Sequence, residues 1–248
     1  LDNYTREGVR ADPLPFILGS EGAGTIADVG ANAGDAAVGD TVVFRGSVTG
    51  AYAEYAIVPA WLTYPIPAGI SLEVAVTLHL QGMTAHYLAN DVFPVAEAHT
   101  CLVHAGAGGV GHQLIQLAKA KGATVFTTTG DQEKAVLAKG FGADEVILYR
   151  QTDFREAVLQ ATGGVGVDVV YNSVGRDTID RSLGSLRPRG TCALFGHASG
   201  PVAAVEPRVL GERGSLFLTR PHLIHYILSR KEYTERASAV LEYLRSGK

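Results

Sequence analysis

The chain has 248 residues, of which 46% are hydrophobic and 19% charged, and its formal net charge is −4. This length allows one large core or about two domains. No five like charges follow one another, so the sequence offers neither a nucleic-acid-binding stripe nor a polybasic membrane patch. It also has no apolar run of about 18 residues and no basic leader followed by apolar residues, so we expect no membrane span and a cytoplasmic protein.

The first 83 residues predict a β-rich domain. Short β-like runs lie between clusters of Gly, Asn, Asp and Pro. Tyr52 stands in the last of these runs, and a helix with Ser71 as its N-cap follows. We expect this domain to end near Gly82. The β-like runs span residues 24–29, 40–44 and 51–58, and the helix spans 71–79.

From about residue 84 onward, strand and helix patterns alternate. This alternation predicts an α/β fold with a parallel sheet covered by helices on both faces. Cys101 and Cys192 fall in predicted core strands, where we expect buried free thiols and no disulfide. Later strands are predicted at 145–149, 167–172 and 191–195, and helices at 153–162, 176–186 and 221–245.

These patterns divide the chain into two predicted domains. We expect a catalytic domain over residues 1–83, with 224–248 packing back on it, and a dinucleotide-binding domain over 84–223. The first residue is not Met, and the Ser-Gly pair before the last residue normally leads into a further element. Both ends therefore predict a chain cut from a longer one.

The glycines Gly106, Gly108 and Gly111 have G-x-G-x-x-G spacing and stand between a strand pattern and a helix pattern. A second strand pattern follows at 123–129, which completes a βαβ unit of about 30 residues. In such a turn the first glycine allows a tight bend, the second lets the backbone approach a pyrophosphate, and the third permits close helix packing. The phosphates then lie at the positive end of the helix dipole. The pattern predicts a dinucleotide-binding turn.

The end of the second strand indicates which dinucleotide is bound. An Asp or Glu there selects NAD through the ribose hydroxyl, but this chain has Thr129 followed by Gly130. Lys134 and Tyr149 offer a cation and a hydroxyl to a 2′-phosphate, so NADPH is favoured over NADH. In the alternative interpretation, Asp131 reaches the ribose and Lys134 is a solvated lysine paired with nearby acids.

The chain resembles the zinc-independent, zeta-crystallin-like quinone oxidoreductases of the medium-chain dehydrogenase/reductase superfamily. The resemblance implies a GroES-like catalytic domain and a doubly wound Rossmann domain that binds NADPH. The segments that carry it are LGSEGAG (18–24), VGDTVV (38–43), GAYAEY (50–55), LQGMTAHY (80–87), AGGVG (107–111), VVYNSVG (169–175) and GSLFLTRP (214–221).

The resemblance also indicates that zinc is absent. Zinc-dependent relatives carry Gly-His-Glu at the catalytic metal, whereas this chain has Gly19, Ser20 and Glu21. A serine hydroxyl does not replace the imidazole, and two cysteines cannot form a four-cysteine structural site. We expect no bound zinc.

The family's cofactor contacts carry over motif by motif. Tyr4 corresponds to a further contact from the catalytic domain. Relatives usually have Asn where His197 stands, and they have a basic residue near a C-terminus that this chain lacks, so we expect weaker cofactor affinity than in those relatives. The implied contacts are Tyr87, Gly106, Gly108, Gly109, Val110, Gly111, Gly130, Lys134, Tyr149, Ser173, His197, Ala198, Ser199, Gly200, Pro221, His222 and Leu223.

The predicted activity is reduction of a quinone by NADPH without metal. Tyr4 and Tyr52 are the candidates for positioning the acceptor or donating a proton, although a half-buried strand tyrosine commonly serves packing alone. His104, like the other histidines within predicted elements, is interpreted as structural. The alternatives are reduction of an activated C=C bond in an enal, enone or enoyl thioester, and a crystallin-like structural or RNA-binding role. A small-molecule quinone or enone is the expected partner, and a homodimer is left open.

Overall fold

The computed structural model describes residues 2–8, 14–45 and 50–246. It divides the chain into two compact units. The first unit comprises Leu1–Met83 and Ile227–Arg245, and the second comprises Thr84–Tyr226 and Ser246–Lys248. The first unit is therefore interrupted in sequence by the second.

The helices and strands are numbered in chain order. The strands are β1 (Glu21–Thr25), β2 (Thr41–Arg45), β3 (Thr63–Pro65), β4 (Thr100–Val103), β5 (Thr124–Thr129), β6 (Glu145–Leu148), β7 (Val167–Asn172), β8 (Leu186–Leu194) and β9 (Phe217–Thr219). The α-helices are α1 (Asp2–Arg6), α2 (Leu72–Tyr87), α3 (Gly109–Ala120), α4 (Gln132–Gly140), α5 (Phe154–Ala161), α6 (Ile179–Gly184), α7 (Pro207–Glu212) and α8 (Arg230–Arg245). A π-helical turn spans Leu88–Val92, and 3-10 helices span Ala60–Leu62 and Leu223–Tyr226.

The first unit contains an antiparallel sheet in the order β1-β2-β3. Val43, at the centre of β2, pairs with Ala23 on one side and Tyr64 on the other, and its side chain is fully buried. The prediction of a β-rich N-terminal region is confirmed. The first strand begins at Glu21, earlier than its apolar pattern indicates.

The predicted strand at residues 51–58 is wrong. Its beginning is held to a preceding loop, because Ala51 N donates to Gly19 O at 3.1 Å and Tyr52 N donates to Leu18 O at 2.8 Å. Tyr52 is 67% exposed and lies in a bend. Alternating residues form a strand only where a neighbour takes up their backbone groups, and in the described part of the first unit the ladder ends at β3.

The predicted helix at 221–245 is interrupted. A 3-10 turn ends at Tyr226, and α8 begins only at Arg230. Ser229 caps α8, since its hydroxyl accepts from Glu232 N at 3.2 Å, while the Glu232 carboxylate accepts from Leu228 N at 2.6 Å. This Ser-x-x-Glu capping pattern marks a helix start that the hydrophobic pattern alone does not reveal.

Tyr233 attaches α8 to the rest of the first unit. Its fully buried hydroxyl donates to Leu62 O at 2.7 Å and lies 2.7 Å from His79 Nε2 on α2. Burial lowers the pKa of His79 to about 4, so its imidazole is neutral and can donate from Nε2 to the tyrosine. Burial raises the pKa of Tyr233, so its proton stays in place.

The second unit is built on a six-stranded sheet in the order β6-β5-β4-β7-β8-β9. All adjacent strands are parallel, and their order along the chain is that of a doubly wound dinucleotide-binding fold. The prediction of a Rossmann sheet is confirmed. Cys101 and Cys192 are free and buried within β4 and β8, as expected.

The helix predicted at 176–186 is shorter in the structure. The Asn172 carboxamide oxygen accepts from Val174 N and Gly175 N, both at 2.9 Å, and this holds the chain in a turn after β7. α6 therefore begins only at Ile179. Its end is followed at once by β8, which starts at Leu186.

Candidate active site

The glycine turn lies where the chain order of the strands reverses. Its glycines follow β4, which pairs with β5 on one side and β7 on the other. In open α/β sheets ligands bind beyond the carboxyl ends of the strands at such a switch point. The sequence pattern and the sheet order therefore indicate the same place.

Close approaches explain two of these glycines. A Cβ on Gly106 would collide with the Thr127 hydroxyl of β5, and a Cβ on Gly111 would collide with the Ala105 carbonyl. Gly106 N donates to Thr128 O at 3.2 Å, which draws the turn toward β5. The turn thus has the tight bend and the close helix packing that the spacing predicts.

The start of α3 is suited to an anion. Gly108 is its N-cap and supplies no side-chain hydrogen bond to the first amides. The first amides of a helix have no partner within the helix, and the dipole makes this end positive. Gly109 and Val110 thus present their N–H groups without competition from the capping residue.

The adenosine end of the predicted site lies after β5 and β6. A Cβ on Gly130 would be 3.2 Å from Tyr149 Oη and 3.6 Å from the Arg150 guanidinium carbon. Tyr149 and Arg150 therefore lie beside Gly130. Arg150 was not singled out from the sequence, although it directly follows Tyr149.

Lys134 is paired in this structure. Its ammonium group lies 3.1 Å from the Asp131 carboxylate, which also accepts from Lys134 N at 2.9 Å as the N-cap of α4. These hydrogen bonds hold the pKa of Asp131 below its usual range. The pairing agrees with the alternative interpretation. The ion pair is well exposed, however, and water screens such pairs strongly, so Lys134 can turn toward a phosphate at little cost.

The loops after β7 and β8 are joined by hydrogen bonds. Ala198 N donates to Ser173 O at 3.2 Å, and Ser199 N and Oγ both donate to Val174 O at 2.8 Å. Gly175 has a φ of +92°, and a Cβ there would lie 2.7 Å from Gly200 O. Glycine is therefore required where the two loops cross, and a hydrogen bond joins the predicted contact Ser173 to the predicted segment 197–200.

His197 has a cationic neighbour. Its Nδ1 lies 3.1 Å from the Arg220 guanidinium, which follows β9. Burial and Arg220 lower the pKa of His197, which favours the neutral imidazole. The sequence did not single out Arg220, because the predicted cofactor contacts in this segment begin at its neighbour Pro221.

The remaining predicted contacts differ in exposure. Pro221 and Leu223 are buried, whereas His222 is exposed. Tyr87 is 1% exposed and stacks on Tyr226, with ring centroids 4.3 Å apart. Tyr87 therefore presents little of its ring to a ligand, and Tyr226 is a neighbour that the sequence did not indicate.

With the exception of Tyr4, the predicted cofactor contacts belong to the second unit. Apart from Tyr87, which ends α2, they all follow strands of the parallel sheet and lie at its carboxyl edge. Tyr4 and Tyr52 belong to the first unit.

Within the first unit, the segment 19–21 contacts Tyr52 and the helix α1 that carries Tyr4. Tyr4 is on α1, whose Asp2 accepts from the Ser20 hydroxyl at 3.0 Å. A Cβ on Gly19 would be 2.6 Å from the Tyr52 ring. The Gly-Ser-Glu segment therefore contacts the elements that carry both tyrosines.

Glu21 is an acid that the sequence did not single out. One of its carboxylate oxygens is buried with no hydrogen-bond partner among the described residues. Burial raises its pKa to about 7, and the neighbouring Asp2 carboxylate adds to the effect while Arg45 opposes it. Glu21 can therefore hold a proton near neutral pH.

Zinc does not fit the residues that the structure describes. Residues 2–8, 14–45 and 50–246 contain no group of three or more His, Cys, Asp or Glu that could hold a metal ion. The Ser20 hydroxyl donates to Asp2, and a neutral hydroxyl is a poor zinc ligand.

One cavity of the first unit is lined by the two chain neighbours of Tyr52, Ala51 and Ala53. It has a volume of about 1070 Å³ and is lined by β1, β2 and residues of the 51–58 segment. Neither Tyr4 nor Tyr52 lines it.

Among the described helices, none is long and apolar enough to cross a membrane.

Comparison with known proteins identifies two matching family models. Residues 1–68 match the alcohol dehydrogenase GroES-like domain, and residues 109–242 match the zinc-binding dehydrogenase model. The chain is 41% identical to the 2-haloacrylate reductase of a Burkholderia species over 257 aligned residues, covering 100% of this chain and 76% of that protein.

Quinone oxidoreductases match equally well. The chain is 41% identical to quinone oxidoreductase 1 of Escherichia coli, covering 100% of this chain and 76% of the relative. A crystal structure of the Escherichia coli quinone oxidoreductase complexed with NADPH superposes with a TM-score of 0.97, at 41% identity, over 99% of this chain and 76% of that one. Because these similarities extend over both units, the chain is a member of the quinone oxidoreductase family within the medium-chain dehydrogenase/reductase superfamily.

Proposed function

We propose that this protein is an oxidoreductase that reduces quinones with NADPH and without zinc. The observation that carries the proposal is the N-terminus of α3, whose N-cap Gly108 leaves the first amides without a side-chain partner, at the switch point of a doubly wound sheet. Relatives whose names state quinone reduction, and a structural neighbour complexed with NADPH, support the choice of substrate and cofactor.

NADPH, when bound, supplies a hydride from nicotinamide C4. We propose that the Gly109 and Val110 amides bind its pyrophosphate and that Lys134 and Tyr149 bind the 2′-phosphate. The glycines Gly106, Gly108 and Gly111 would keep the turn close to the phosphates. We propose that Pro221, His222 and Leu223 lie beside the nicotinamide and that Gly130 lies beside the adenosine. The further proposed cofactor contacts are Tyr87, Ser173, His197, Ala198, Ser199 and Gly200.

The two predicted domains correspond, in this proposal, to the two compact units. We propose that Tyr4 and Tyr52, both in the first unit, orient the acceptor or donate a proton to its reduced oxygen. A positioned proton donor contributes about 10²–10⁴-fold to a rate, so replacing the proton-donating tyrosine of this pair by Phe should lower kcat by about 10²-fold or more.

Purified protein tests the activity directly. The oxidation of NADPH is followed at saturating cofactor with benzoquinone, a naphthoquinone and a 2-enal, and each is repeated with NADH. Quinone turnover that prefers NADPH supports the proposal. Absence of turnover with every acceptor, together with tight RNA binding at physiological salt, would instead support the structural or RNA-binding role.

Reduction of an activated C=C bond is the second candidate. The 41% identity to 2-haloacrylate reductase favours it specifically, because that relative is named for an activated alkene. The two candidates differ in the atom that accepts the hydride, which is carbon in the alkene. A 2-haloacrylate or 2-enal that exceeds every quinone in kcat/KM would establish this alternative.

The proposal of a zinc-independent reaction has its own measurement. Metal analysis of the active protein should find far less than one zinc per chain, and extended chelation should leave turnover unchanged. Stoichiometric zinc that is lost together with activity contradicts the proposal.

We further propose a cytoplasmic enzyme whose partner is a small-molecule quinone or enone. Fractionation of the producing cells tests the compartment. A homodimer is tested by sedimentation of the purified protein, since one chain has a mass of 26.1 kDa.

A further inference from the structure

A buried row of polar side chains lies beneath the glycine turn. His104 follows β4 directly and is 1% exposed. Its Nδ1 lies 3.0 Å from Thr128 Oγ1, and its Nε2 lies 2.9 Å from Ser182 Oγ on α6. The imidazole therefore joins β5 to α6 through the interior of the second unit.

On the Thr128 side, the row reaches the glycine turn. Thr128 Oγ1 accepts from Ala105 N at 3.3 Å, and Thr128 O accepts from Gly106 N at 3.2 Å. These are the residues at which the chain leaves β4 and turns toward α3. Thr128 thus contacts both His104 and the backbone that places the phosphate-binding amides.

On the Ser182 side, the row reaches the loop after β7. Ser182 Oγ accepts from Asn172 Nδ2 at 3.0 Å. The oxygen of the same carboxamide accepts from Val174 N and Gly175 N at 2.9 Å each. The row therefore ends on the loop that carries Ser173.

His104 is suited to join two hydroxyl groups. Burial lowers its pKa to about 3, with Arg181 on α6 contributing, so the ring is neutral. A neutral imidazole has one donor and one acceptor nitrogen, and each faces one hydroxyl here. The Phe154 ring packs edge-on at 4.7 Å between centroids. All polar atoms of the ring are satisfied, which a buried network requires if it is to rigidify the structure.

We propose that His104 is a positioning residue for the dinucleotide. Through Thr128 and Ser182 it holds the glycine turn and the Ser173–Gly175 loop at a fixed separation, so that both meet the cofactor without rearrangement. Such preorganisation lowers the cost of binding. This inference rests on the proposed function.

The same sheet contains a matched control at its opposite edge. Asp168, near the start of β7, accepts from Thr100 N at 2.7 Å, from Thr100 Oγ1 at 2.9 Å and from Arg187 Nε at 2.7 Å. This cluster also joins β4 to β7 and β8, but it lies at the amino ends of the strands. Thr100→Val therefore removes a comparable hydroxyl far from the glycine turn.

The experiment compares Thr128→Val with Thr100→Val. Titration should show the NADPH Kd raised about tenfold by Thr128→Val and changed less than twofold by Thr100→Val. At saturating NADPH the kcat of Thr128→Val should stay within about twofold of wild type. In the protein without NADPH, amide hydrogen exchange at residues 173–176 should accelerate in Thr128→Val and not in Thr100→Val.

Variants of His104 test the row itself. His104→Phe removes both hydrogen bonds, whereas His104→Asn can still reach Thr128 and His104→Gln can still reach Ser182. We expect His104→Phe to weaken NADPH binding most and the two amides to restore part of it. If Thr128→Val and His104→Phe bind NADPH as tightly as wild type, or if Thr100→Val weakens binding equally, the inference is wrong. If wild type itself does not bind NADPH, the proposed function fails as well.

Discussion

At the scale of single residues, Lys134 decides the cofactor preference that we propose. Its ammonium group now faces Asp131 across an exposed ion pair. A bound 2′-phosphate carries more charge than this carboxylate and offers it a stronger partner.

We expect Lys134→Ala to lower kcat/KM for NADPH about tenfold, the equivalent of 1.4 kcal/mol, while kcat/KM for NADH stays unchanged. Lys139→Ala is the matched control, because Lys139 lies at the other end of α4 and donates to Asp144 O. Equal losses of kcat/KM with NADPH and NADH would show that Lys134 does not bind the 2′-phosphate.

Glu21 is predicted to make stability depend on pH. Its pKa is raised from its ordinary value of 4.5 to about 7 in the folded chain, mainly by burial and also by Asp2. The folded state therefore binds more protons between these values, so this stabilisation is full below about pH 4 and is lost as the pH rises through 7.

We expect Glu21→Gln to remove this loss. Between pH 5 and pH 8 its stability should rise by about 1–2 kcal/mol relative to wild type, as measured by denaturant unfolding at each pH. Glu54→Gln, at an exposed position, should keep the wild-type slope. Parallel curves for wild type and Glu21→Gln would contradict the prediction.

At the scale of elements, the parallel strands were predictable because burial on both faces selects runs rich in apolar and β-branched residues, as in β5 and β7. The strand predicted at residues 51–58 does not form, because the alternation of apolar and polar residues cannot show whether a neighbouring strand exists. The start of α8 was predictable in principle from its Ser-x-x-Glu capping pattern. The hydrogen bonds of His104 could not be predicted from the sequence, because only the packing of β5 and α6 brings Thr128 and Ser182 to its ring.

The attachment of α8 offers an element-scale test. Tyr233→Phe leaves Leu62 O and His79 Nε2 without their buried partner, which costs about 1–3 kcal/mol. We expect a melting temperature several degrees lower. Tyr55→Phe, at a residue 78% exposed, should leave it nearly unchanged. Equal melting temperatures for the two variants would show that the Tyr233 hydroxyl does not stabilise α8.

At the scale of the whole molecule, the proposed cofactor surface and the parallel sheet lie in one unit. One of its buried hydrophobic clusters runs from Leu102 to Leu216 and draws on β4 to β8 and on the helices α5 and α6. The position of the loops at the carboxyl edge could be predicted from strand order alone. The contacts of Arg220 with His197 and of Tyr226 with Tyr87 could not, because they depend on how the segments after β8 and β9 fold.

We expect residues 84–226 to fold when expressed alone and to unfold in one cooperative transition. NADPH at about 100 times its Kd should stabilise this fragment by about 2.7 kcal/mol, as it should the full chain. Thermal unfolding followed by circular dichroism measures both effects. A fragment without a cooperative transition, or one indifferent to NADPH, would show that the second unit depends on the first.

The attachment of α8 has a consequence for the order of synthesis. The ribosome delivers every strand of the second unit before Tyr233 is made, because β9 ends at Thr219. Leu62 O and His79 Nε2 of the first unit therefore have no Tyr233 hydroxyl to bind while the sheet of the second unit forms, and water binds them instead. In nascent chains, the second unit (residues 84–226) should therefore become resistant to proteases first. The N-terminal residues of the first unit should become resistant only after α8 has been made.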